Sequence, residues 1–448
     1  MKGSDRVQKG QKVCVIGLWH LGLVSAAALA DLGCDVTGFD SSPELISDLR
    51  QAKLPLYEPG LEVLVKNHLE TQRLRFETEL KKTLAGSQTV LITYDTPLDE
   101  KDQVDLTVID NTIQAIIPLL ERDTLLVVNS QVPVGSCERW QKIIDKQKPD
   151  WNIDLIYSPE NIRLGQAIEL FRQPDMIVIG SNSERARKKA EKFYELFPVD
   201  KFYVSWRTAE MAKHALNAFF ATSISFANEM GNLCDAVGAD GMQIAKILKK
   251  DSRIGKRAQV RPGLGFAGAT LARDLTGLQN LGKEYGVPMP LAGVVLEINR
   301  KQIERVAKMV EQYFEGQLRG KILTVFGLTY KPGTSTLRRS ASLEIMGLLH
   351  SKGVRLRAYD PKADLSEYKG EMFFEFFQDP YEAAGGSNGI LLFTEWPEFK
   401  QLDYSRIKKL MAHPMILDTK NHLDAEKLKQ LGFNYLEIGR GQLTEVKS

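Results

Sequence analysis

Short apolar runs alternate with amphipathic stretches from the start of the chain up to Trp206. The first run, Val13–Ile16, is continuous and predicts a buried parallel strand. The Ala- and Leu-rich stretch Val24–Leu32 predicts a helix, and Val36–Phe39 predicts a second strand. Further strands are predicted at Thr89–Tyr94, Thr124–Asn129, Leu155–Tyr157 and Met176–Gly180, and helices at Pro43–Gln51, Asp105–Leu120 and Glu184–Leu196. This alternation is typical of a doubly wound sheet covered by helices on both faces.

The pattern changes at Trp206 to long stretches of helical periodicity. Helices are predicted at Ala209–Val237, Met242–Lys249, Leu271–Tyr285 and Leu291–Phe314. Strand–helix alternation resumes later, with strands predicted at Lys321–Gly327, Val354–Tyr359, Gly389–Thr394 and Met415–Leu417 and a helix at Ser342–His350. The prediction is therefore an α/β protein in which two Rossmann-like doubly wound domains, 1–205 and 316–448, are joined by a central long-helix dimerisation domain, 206–315. Apolar residues on several faces of the long helices favour a homodimer or higher oligomer. The alternative is a monomer that buries these helices against its own flanking domains.

A tight turn follows the first predicted strand and suggests a dinucleotide site. Gly17 and Gly22 are the outer glycines of a GxGxxG turn, whose helix N-terminus favours a pyrophosphate. Asp40 ends the second strand, where an acid would bind the adenosine ribose hydroxyls and favour NAD over NADP. The middle glycine is replaced by Trp19. The alternative is thus a Rossmann shell whose cofactor cleft is filled by the indole.

Other polar residues follow later strands of both predicted sheets. Ligands of such sheets bind beyond the carboxyl ends of the strands. In the first half this places Asp95, Thr96, Pro97, Ser130, Gln131 and Glu160 in the expected cleft. In the second half the strand ends carry Lys331, Arg338, Arg339 and Lys420. A cluster of cations suits a phosphate-bearing ligand, although a solvated basic face is the simpler alternative.

Composition adds few constraints. The net charge of +2 over 448 residues gives no indication of a nucleic-acid or membrane surface. No segment is apolar enough to span a bilayer, and the first ten residues do not resemble a signal peptide. Four widely spaced cysteines, Cys14, Cys34, Cys137 and Cys234, indicate buried free thiols and a reducing cytoplasm, and predict no metal site.

Several ordered motifs resemble the UDP-glucose/GDP-mannose dehydrogenase family over nearly the whole chain. They are VIGLWHLGLV, LPLYEPGL, SQVPVG, SPENIRLGQAI, AEMAKHALNAFFATSISFANE, RPGLGFAGATLARD, GLTYKPGTSTLRRSAS and LLFTEWPEF. The resemblance implies an NAD domain, a central dimerising helix and a C-terminal nucleotide-sugar domain. It also implies oxidation of the C6 alcohol of a nucleotide-linked sugar to a carboxylate, with two NAD reduced. In that family a cysteine captures the intermediate aldehyde, the second hydride transfer to NAD converts this adduct to a thioester, and the thioester is hydrolysed.

The resemblance also assigns roles to individual residues. Lys213 matches the catalytic lysine, Asn217 lies one helical turn later, Asp274 matches an aspartate that works with this pair through water, and Glu160 matches a catalytic-site glutamate. Cofactor contacts are implied for Gly17, Trp19, His20, Leu21, Gly22, Asp40, Thr96, Pro97, Ser130, Gln131 and Arg338. Substrate contacts are implied for Glu160, Asn161, Ile162, Arg163, Lys213, Asn217, Arg253, Gly265, Phe266, Gly268, Lys331 and Lys420. Arg253 resembles an arginine that reaches a neighbouring subunit's sugar, and Lys420 replaces an arginine.

Four departures from the family pattern concern the chemistry. Thr270 stands at the position of the nucleophilic cysteine, within GFAGATLARD, where the family has GFGGSCFPKD. Gln131 replaces a threonine, Leu164 replaces a second glutamate, and Trp19 replaces the middle glycine of the turn. Because the other catalytic positions are retained, changed chemistry is favoured over random decay. The first hypothesis is therefore a single two-electron oxidation of a UDP-hexose to an aldehyde or ketone. The alternatives are a four-electron UDP-sugar 6-dehydrogenase and a non-catalytic nucleotide-sugar-binding protein.

Overall fold

The computed structural model describes residues 10–96, 104–268 and 270–441. It divides the chain into two compact units, Met1–Ala215 and Leu216–Ser448. One long helix, α9 (Trp206–Val237), contains the boundary between them.

The first unit contains a parallel sheet with helices on both faces. Its strands are β1 Lys12–Ile16, β2 Asp35–Phe39, β3 Leu74–Glu77, β4 Thr89–Ile92, β5 Leu125–Val128, β6 Asp154–Tyr157, β7 Ile177–Gly180 and β8 Lys201–Val204. Its helices before α9 are α1 His20–Asp31, α2 Pro43–Leu49, α3 Leu61–Glu70, α4 Leu80–Leu84, α5 Thr107–Ile116, α6 Ser136–Gln147, α7 Ala167–Arg172 and α8 Glu184–Tyr194. A short 3-10 turn, Ile117–Leu119, follows α5.

The strand order in this sheet is β3-β2-β1-β4-β5-β6-β7-β8. Its first six strands follow the order of a dinucleotide-binding fold, 3-2-1-4-5-6. Pairing is parallel except between β6 and β7, which meet as an antiparallel pair at Tyr157 and Gly180. Alternate residues of β1 enter two different cores, since Val13 and Val15 pack on one face and Cys14 and Ile16 on the other. The order change between β1 and β4 places the ligand crevice at their carboxyl ends.

The second unit combines the rest of α9 with three further helices and a second sheet. The helices next in sequence are α10 Gly241–Lys250, α11 Thr270–Glu284 and α12 Pro290–Tyr313. They are followed by β9 Ile322–Phe326, α13 Ala341–Ser351, β10 Arg355–Tyr359, β11 Phe374–Phe376, α14 Pro380–Ala384, β12 Gly389–Leu392, α15 Tyr404–Leu410, β13 Met415–Asp418, α16 Ala425–Gln430 and β14 Asn434–Glu437. Short 3-10 turns lie at Leu365–Glu367 and Pro397–Gln401.

The second sheet has the order β11-β10-β9-β12-β13-β14, and every pairing in it is parallel. It therefore repeats the 3-2-1-4-5-6 order of the first sheet. Leu323 and Val325 of β9 pack into one core, and Phe326 packs into another. Both faces of this sheet are covered, which confirms the prediction of two Rossmann-like halves with a helical region between them.

Most predicted elements are observed, with shifted ends. Helix α1 begins at His20 rather than Val24, so the turn passes directly into the helix. Helix α5 covers Thr107–Ile116 rather than Asp105–Leu120, because Pro118 lies in a separate 3-10 turn. Cys14 lies in β1 and Cys234 in α9, and all four cysteines are buried and free, as predicted.

Candidate active site

The turn after β1 has the close backbone approach that a dinucleotide site requires. Gly17 adopts φ +94°, and a Cβ placed there would lie 2.7 Å from the ring of Tyr94. A Cβ on Gly22 would lie 1.8 Å from the carbonyl oxygen of Gly17. Neither position therefore accepts a side chain. The first backbone bond of α1 runs from Leu23 N–H to the Trp19 carbonyl over 3.0 Å. The N–H groups of the preceding turn thus have no partner within the helix and can face an anion.

Trp19 does not disturb this turn. Its backbone has φ −82°, which any L residue adopts, so a glycine is not needed there for conformation. The side chain is half-buried, and its ring meets the ring of His20 edge-on with 6.4 Å between centroids. The His20 ring is buried and its Nε2 lies 2.9 Å from Glu58 Oε2. His20 therefore contributes a backbone N–H to the turn while its ring is engaged with Glu58.

Asp40 is fixed at the end of β2, beside the turn. Its Oδ2 accepts a hydrogen bond from Leu18 N–H over 3.0 Å, and its Oδ1 accepts one from Ser42 N–H over 3.1 Å. A carboxylate accepts about four hydrogen bonds in total, so both oxygens retain capacity for ribose hydroxyls. The turn and Asp40 fit NAD, and they would hold its pyrophosphate and adenosine ribose. NAD itself would accept the hydride.

The ends of β4 and β5 are tied together beside this crevice. Thr96 Oγ1 donates to the Gln131 carbonyl over 2.8 Å, and Ser130 Oγ donates to the Ile92 carbonyl over 3.3 Å. Thr96 and Ser130 are buried, and Gln131 is half-buried. Pro97, a predicted cofactor contact, lies outside the described residues.

Three predicted substrate-site residues come together in the first unit. Lys213 is buried on α9, and its Nζ donates to the Glu160 carbonyl over 2.7 Å and to Asn161 Oδ1 over 2.9 Å. Burial raises the pKa of the Glu160 carboxyl to about 7, and the charge of Lys213 opposes that rise. A carboxyl that titrates near neutrality can exchange protons at working pH. Ile162 and Arg163, two further predicted substrate contacts, follow Asn161 in the sequence. Ile162 packs against the core of the first unit, whereas Arg163 is exposed.

Glu210 was missed by the sequence analysis and fixes the turn of α9 that carries Lys213. It is fully buried, and it accepts hydrogen bonds from Gly135 N–H over 2.6 Å and Cys137 N–H over 3.0 Å. These groups belong to the N-terminus of α6, where a negative charge is favourable. The spacing of Glu210 and Lys213 within AEMAKHALN is the signal that could have indicated it.

The second unit contains a further pair of predicted catalytic residues. Asn217 Nδ2 donates to Asp274 Oδ2, and the Asp274 side chain is fully buried. Thr270, the residue at the nucleophile position, is exposed and is the first residue of α11. The fold thus keeps the amide–carboxylate pair and presents a hydroxyl where the family has a thiol.

The glycine-rich loop before α11 is held by amide side chains from α9 and α12. Asn299 Oδ1 accepts from Phe266 N–H over 2.8 Å, and its Nδ2 donates to the Phe266 carbonyl over 2.9 Å. A Cβ on Gly265, which has φ +95°, would lie 2.5 Å from the same Oδ1. Gly268 N–H donates to the Arg339 carbonyl over 3.0 Å. Asn299 was not predicted, because its partner loop is far from it in sequence.

The predicted phosphate-binding cations differ in exposure and contacts. Lys420 Nζ lies 3.3 Å from Glu395 Oε2 and is mostly buried, whereas Arg338 is exposed. Lys331 Nζ lies 5.7 Å from the centre of the Tyr330 ring. Arg253 has a largely exposed side chain and forms a salt bridge to Asp251 over 2.7 Å.

Asp360 ends β10 as Asp40 ends β2, but its surroundings differ. It is buried, and its Oδ2 accepts from Leu328 N–H over 2.7 Å and from both the N–H and hydroxyl of Thr329 over 3.0 Å. Its Oδ1 accepts from the N–H groups of Lys362 and Ala363. Both oxygens of the Asp360 carboxylate are therefore occupied by hydrogen bonds within the fold. This agrees with the sequence of this half, in which no glycine-rich turn was identified.

Two negative findings apply to residues 10–96, 104–268 and 270–441. Within these ranges, no group of three His, Cys, Asp or Glu side chains is arranged to hold a metal ion. Within the same ranges, no helix has the length and apolar character needed to cross a bilayer.

An α/β unit with a glycine turn that fits NAD, an acid at the end of β2 and a buried lysine beside a glutamate is typical of a nicotinamide-dependent oxidoreductase. The chain belongs to the UDP-glucose/GDP-mannose dehydrogenase family, whose three domain models match it in order. The NAD binding domain matches residues 11–198, the central domain 207–301 and the UDP binding domain 324–425. The chain is thus an NAD-dependent nucleotide-sugar dehydrogenase.

Individual relatives cover almost the whole chain. UDP-glucose 6-dehydrogenase TuaD of Bacillus subtilis is 34% identical over 434 residues, which are 96% of this chain and 93% of that protein. UDP-glucose 6-dehydrogenase of Rhizobium meliloti is 33% identical over 435 residues, 96% of this chain and 99% of that protein. Among solved structures, a UDP-glucose dehydrogenase from Pyrobaculum islandicum is 29% identical with a TM-score of 0.87, over 96% of this chain and 98% of that one. A UDP-D-ManNAc dehydrogenase from Pyrococcus horikoshii is 25% identical with a TM-score of 0.85, over 96% and 99% of the two chains.

Proposed function

We propose that this chain oxidises an alcohol of a UDP-linked hexose in one two-electron step and releases an aldehyde or ketone. The observation that carries this proposal is Thr270, a threonine at the nucleophile position and the first residue of α11. The reaction removes a hydride from the carbon and a proton from the alcohol oxygen, and it forms one NADH per sugar.

Lys213 is the proposed partner of the reacting oxygen. Its Nζ is a charged donor on a buried side chain, and it lies within hydrogen-bond distance of the loop that contains Glu160 and Asn161. A buried cation stabilises the negative charge that develops on the oxygen as its proton leaves. Glu160, with a pKa near neutrality, is a candidate proton acceptor. In the second unit, Asp274 accepts a hydrogen bond from Asn217, and the family resemblance suggests that it assists proton transfer through water.

Thr270 explains why the reaction would stop after one hydride. Oxidation of an aldehyde by NAD needs a tetrahedral adduct that can release a second hydride. A thiolate forms such an adduct readily, because it is accessible near neutral pH and strongly nucleophilic. A threonine hydroxyl is weakly acidic and needs an adjacent base. The replacements Gln131 and Leu164 also change the polar groups available to position water. A ketone product would require a ring carbon of the sugar to face the nicotinamide.

The second candidate is a four-electron UDP-sugar 6-dehydrogenase that forms a uronic acid. It is favoured by the names of the relatives, which are UDP-glucose 6-dehydrogenases at 32–34% identity over at least 95% of this chain. In that case Thr270, or a water molecule that hydrates the aldehyde, would replace the thiol.

We further propose that the chain forms a homodimer through its central helices. Large apolar side chains on these helices are exposed, namely Leu216, Phe219, Phe220, Phe226, Leu233, Val237, Leu291 and Val294. Phe219 is 76% exposed, which is unusual for a phenylalanine on a long helix. Large apolar side chains exposed in this number on long helices suggest an interface. We also infer a reducing, cytoplasmic location, because the four cysteines are free.

The proposed activity is tested by incubating the purified protein with NAD and a panel of UDP-sugars while absorbance of NADH is followed. We expect NADH formation with at least one UDP-hexose, and its loss in Lys213→Met. Binding of the sugars without NADH formation from any of them would contradict the proposal and favour a binding protein.

A further inference from the structure

We propose that Glu58 is a positioning residue that ties the dinucleotide turn to the loop carrying Glu160 and Asn161. This inference rests on the proposed function, in which these two segments hold NAD and the sugar. Glu58 lies in the loop between α2 and α3, and its side chain is only 1% exposed.

The Glu58 carboxylate binds donors from two separate segments. Its Oε2 lies 2.9 Å from His20 Nε2 and accepts a hydrogen bond from Gly165 N–H over 2.8 Å. Its Oε1 accepts a hydrogen bond from Ala167 N–H over 2.9 Å. His20 is the first residue of α1, and Ala167 is the first residue of α7. One carboxylate therefore joins the first residue of α1, through its ring, to backbone N–H groups at the start of α7.

Glu58 is itself held rigidly. Leu56 and Leu61 on either side of it are buried, and Leu61 N–H donates to the Glu58 carbonyl over 3.2 Å as α3 begins. Helix α3 packs against α1, and α1 also packs against α7. A buried carboxylate is costly unless it is paired and hydrogen-bonded, so loss of its donors would leave an unfavourable charge. The packing that fixes the position of Glu58 therefore also keeps its carboxylate beside the donors that stabilise its charge.

The loop from Glu160 to Gly165 is fastened at both ends by these contacts. Lys213 bonds to Glu160 and Asn161 at one end, and Glu58 bonds to Gly165 at the other. Between these ends, the side chain of Arg163 is exposed. A loop held in this way presents Glu160 in one arrangement relative to the turn after β1. A small displacement of a reacting group lowers the rate by up to about a hundredfold. We therefore expect the hydrogen bonds that hold this loop to affect the rate of catalysis.

The contacts of Glu58 predict that NAD binding changes the mobility of the loop that carries Glu160 and Asn161. The turn that contains His20 would be restrained if NAD bound at the N-terminus of α1. Because Glu58 accepts hydrogen bonds from the N–H groups of Gly165 and Ala167, it should extend this restraint to the following segment. Bound NAD should therefore slow amide exchange in residues 160–172. A carboxylate that only stabilises the fold would give the same loop exchange with and without NAD.

The test is hydrogen–deuterium exchange of the full-length protein, with and without saturating NAD. The variants are Glu58→Gln, His20→Phe and the control Glu62→Gln, which changes an exposed residue of α3. In Glu58→Gln we expect exchange in 160–172 to rise roughly tenfold or more, because a charge-assisted bond to a buried N–H is lost. In His20→Phe the basal exchange should remain low, because both backbone bonds persist, but the NAD-dependent protection should disappear. The control should behave as wild type.

Unchanged exchange in Glu58→Gln, or NAD-dependent protection that survives in His20→Phe, would overturn the inference. His20→Phe keeps the carboxylate and its backbone bonds, so it provides the test if Glu58→Gln fails to fold. The exchange measurement needs bound NAD but no turnover, so it stands even if no UDP-sugar is oxidised. Where turnover is observed, Glu58→Gln should lower kcat while the Kd for NAD stays within about twofold, since a positioning role affects the reacting geometry.

Discussion

Ionisation of Glu160 should lower the stability of the first unit as pH rises. Burial raises the pKa of this carboxyl from 4.5 to about 7 in the folded chain. Between these values the unfolded chain has released the proton while the folded chain retains it. Stability therefore falls as pH rises from about 4.5 and levels off above about 7. With these two pKa values, linkage gives a loss of about 2–3 kcal/mol between pH 5 and pH 8.

Removing the titrating group should remove this pH dependence. Glu160→Gln is similar in size but does not ionise, so its stability should fall by about 2–3 kcal/mol less than that of wild type between pH 5 and pH 8. Glu169→Gln, an exposed change in the following helix, is the matched control and should retain the wild-type pH dependence.

The assay can be confined to the first unit. The chain has five tryptophans, and Trp396 is the one that lies beyond residue 215. In a Trp396→Phe background, tryptophan fluorescence during urea unfolding reports on Met1–Ala215 alone. All variants share this background, so its own effect on stability cancels. An equal loss of stability between pH 5 and pH 8 in Glu160→Gln and wild type would refute the reasoning.

Three further predictions concern cofactor, substrate and assembly. Asp40 should make the protein bind NAD more tightly than NADP in calorimetric titrations. In Asp40→Ser the difference between the two affinities should be smaller, and tighter binding of NADP by wild type would contradict the prediction. Lys331→Ala and Lys420→Ala should each weaken UDP-sugar binding about ten- to hundredfold, while the exposed Lys400→Ala should not, and unchanged affinity in both would exclude this phosphate site. Phe219→Arg should convert a dimer to a monomer in light scattering, while Phe202→Arg, on the edge strand β8, should leave it intact; a wild-type monomer would disprove the assembly.

The parts of the fold that were predictable are those in which local sequence and burial agree. β1, β4 and β5 are continuous apolar runs because parallel strands are buried on both faces. β3 and β8 were missed, since they lie at the sheet edges, where LRFE and KFYV mix polar and apolar residues. Apolar patterning also gives no indication that β6 and β7 pair antiparallel, because both strands are apolar.

The candidate site was predictable where it depends on motifs and not where it depends on long-range contacts. The turn after β1, Asp40 and the Lys213 position follow from local spacing and from the family resemblance. Glu58, Glu210 and Asn299 act on backbone groups 33 to 109 residues away. A single polar residue carries no sign of such a distant partner, so the fold was needed to identify Glu58 and Asn299, whereas the spacing of Glu210 to Lys213 within AEMAKHALN could have indicated Glu210.

The two candidate reactions differ in how many electrons leave each sugar. The deciding measurement is the amount of NADH formed per UDP-hexose consumed at completion, with the product mass determined in the same sample. A threonine in place of the thiol predicts one NADH per sugar and a product lighter than the substrate by two hydrogens. Two NADH per sugar, with a product heavier by one oxygen and lighter by two hydrogens, would be the uronic acid and would contradict the account.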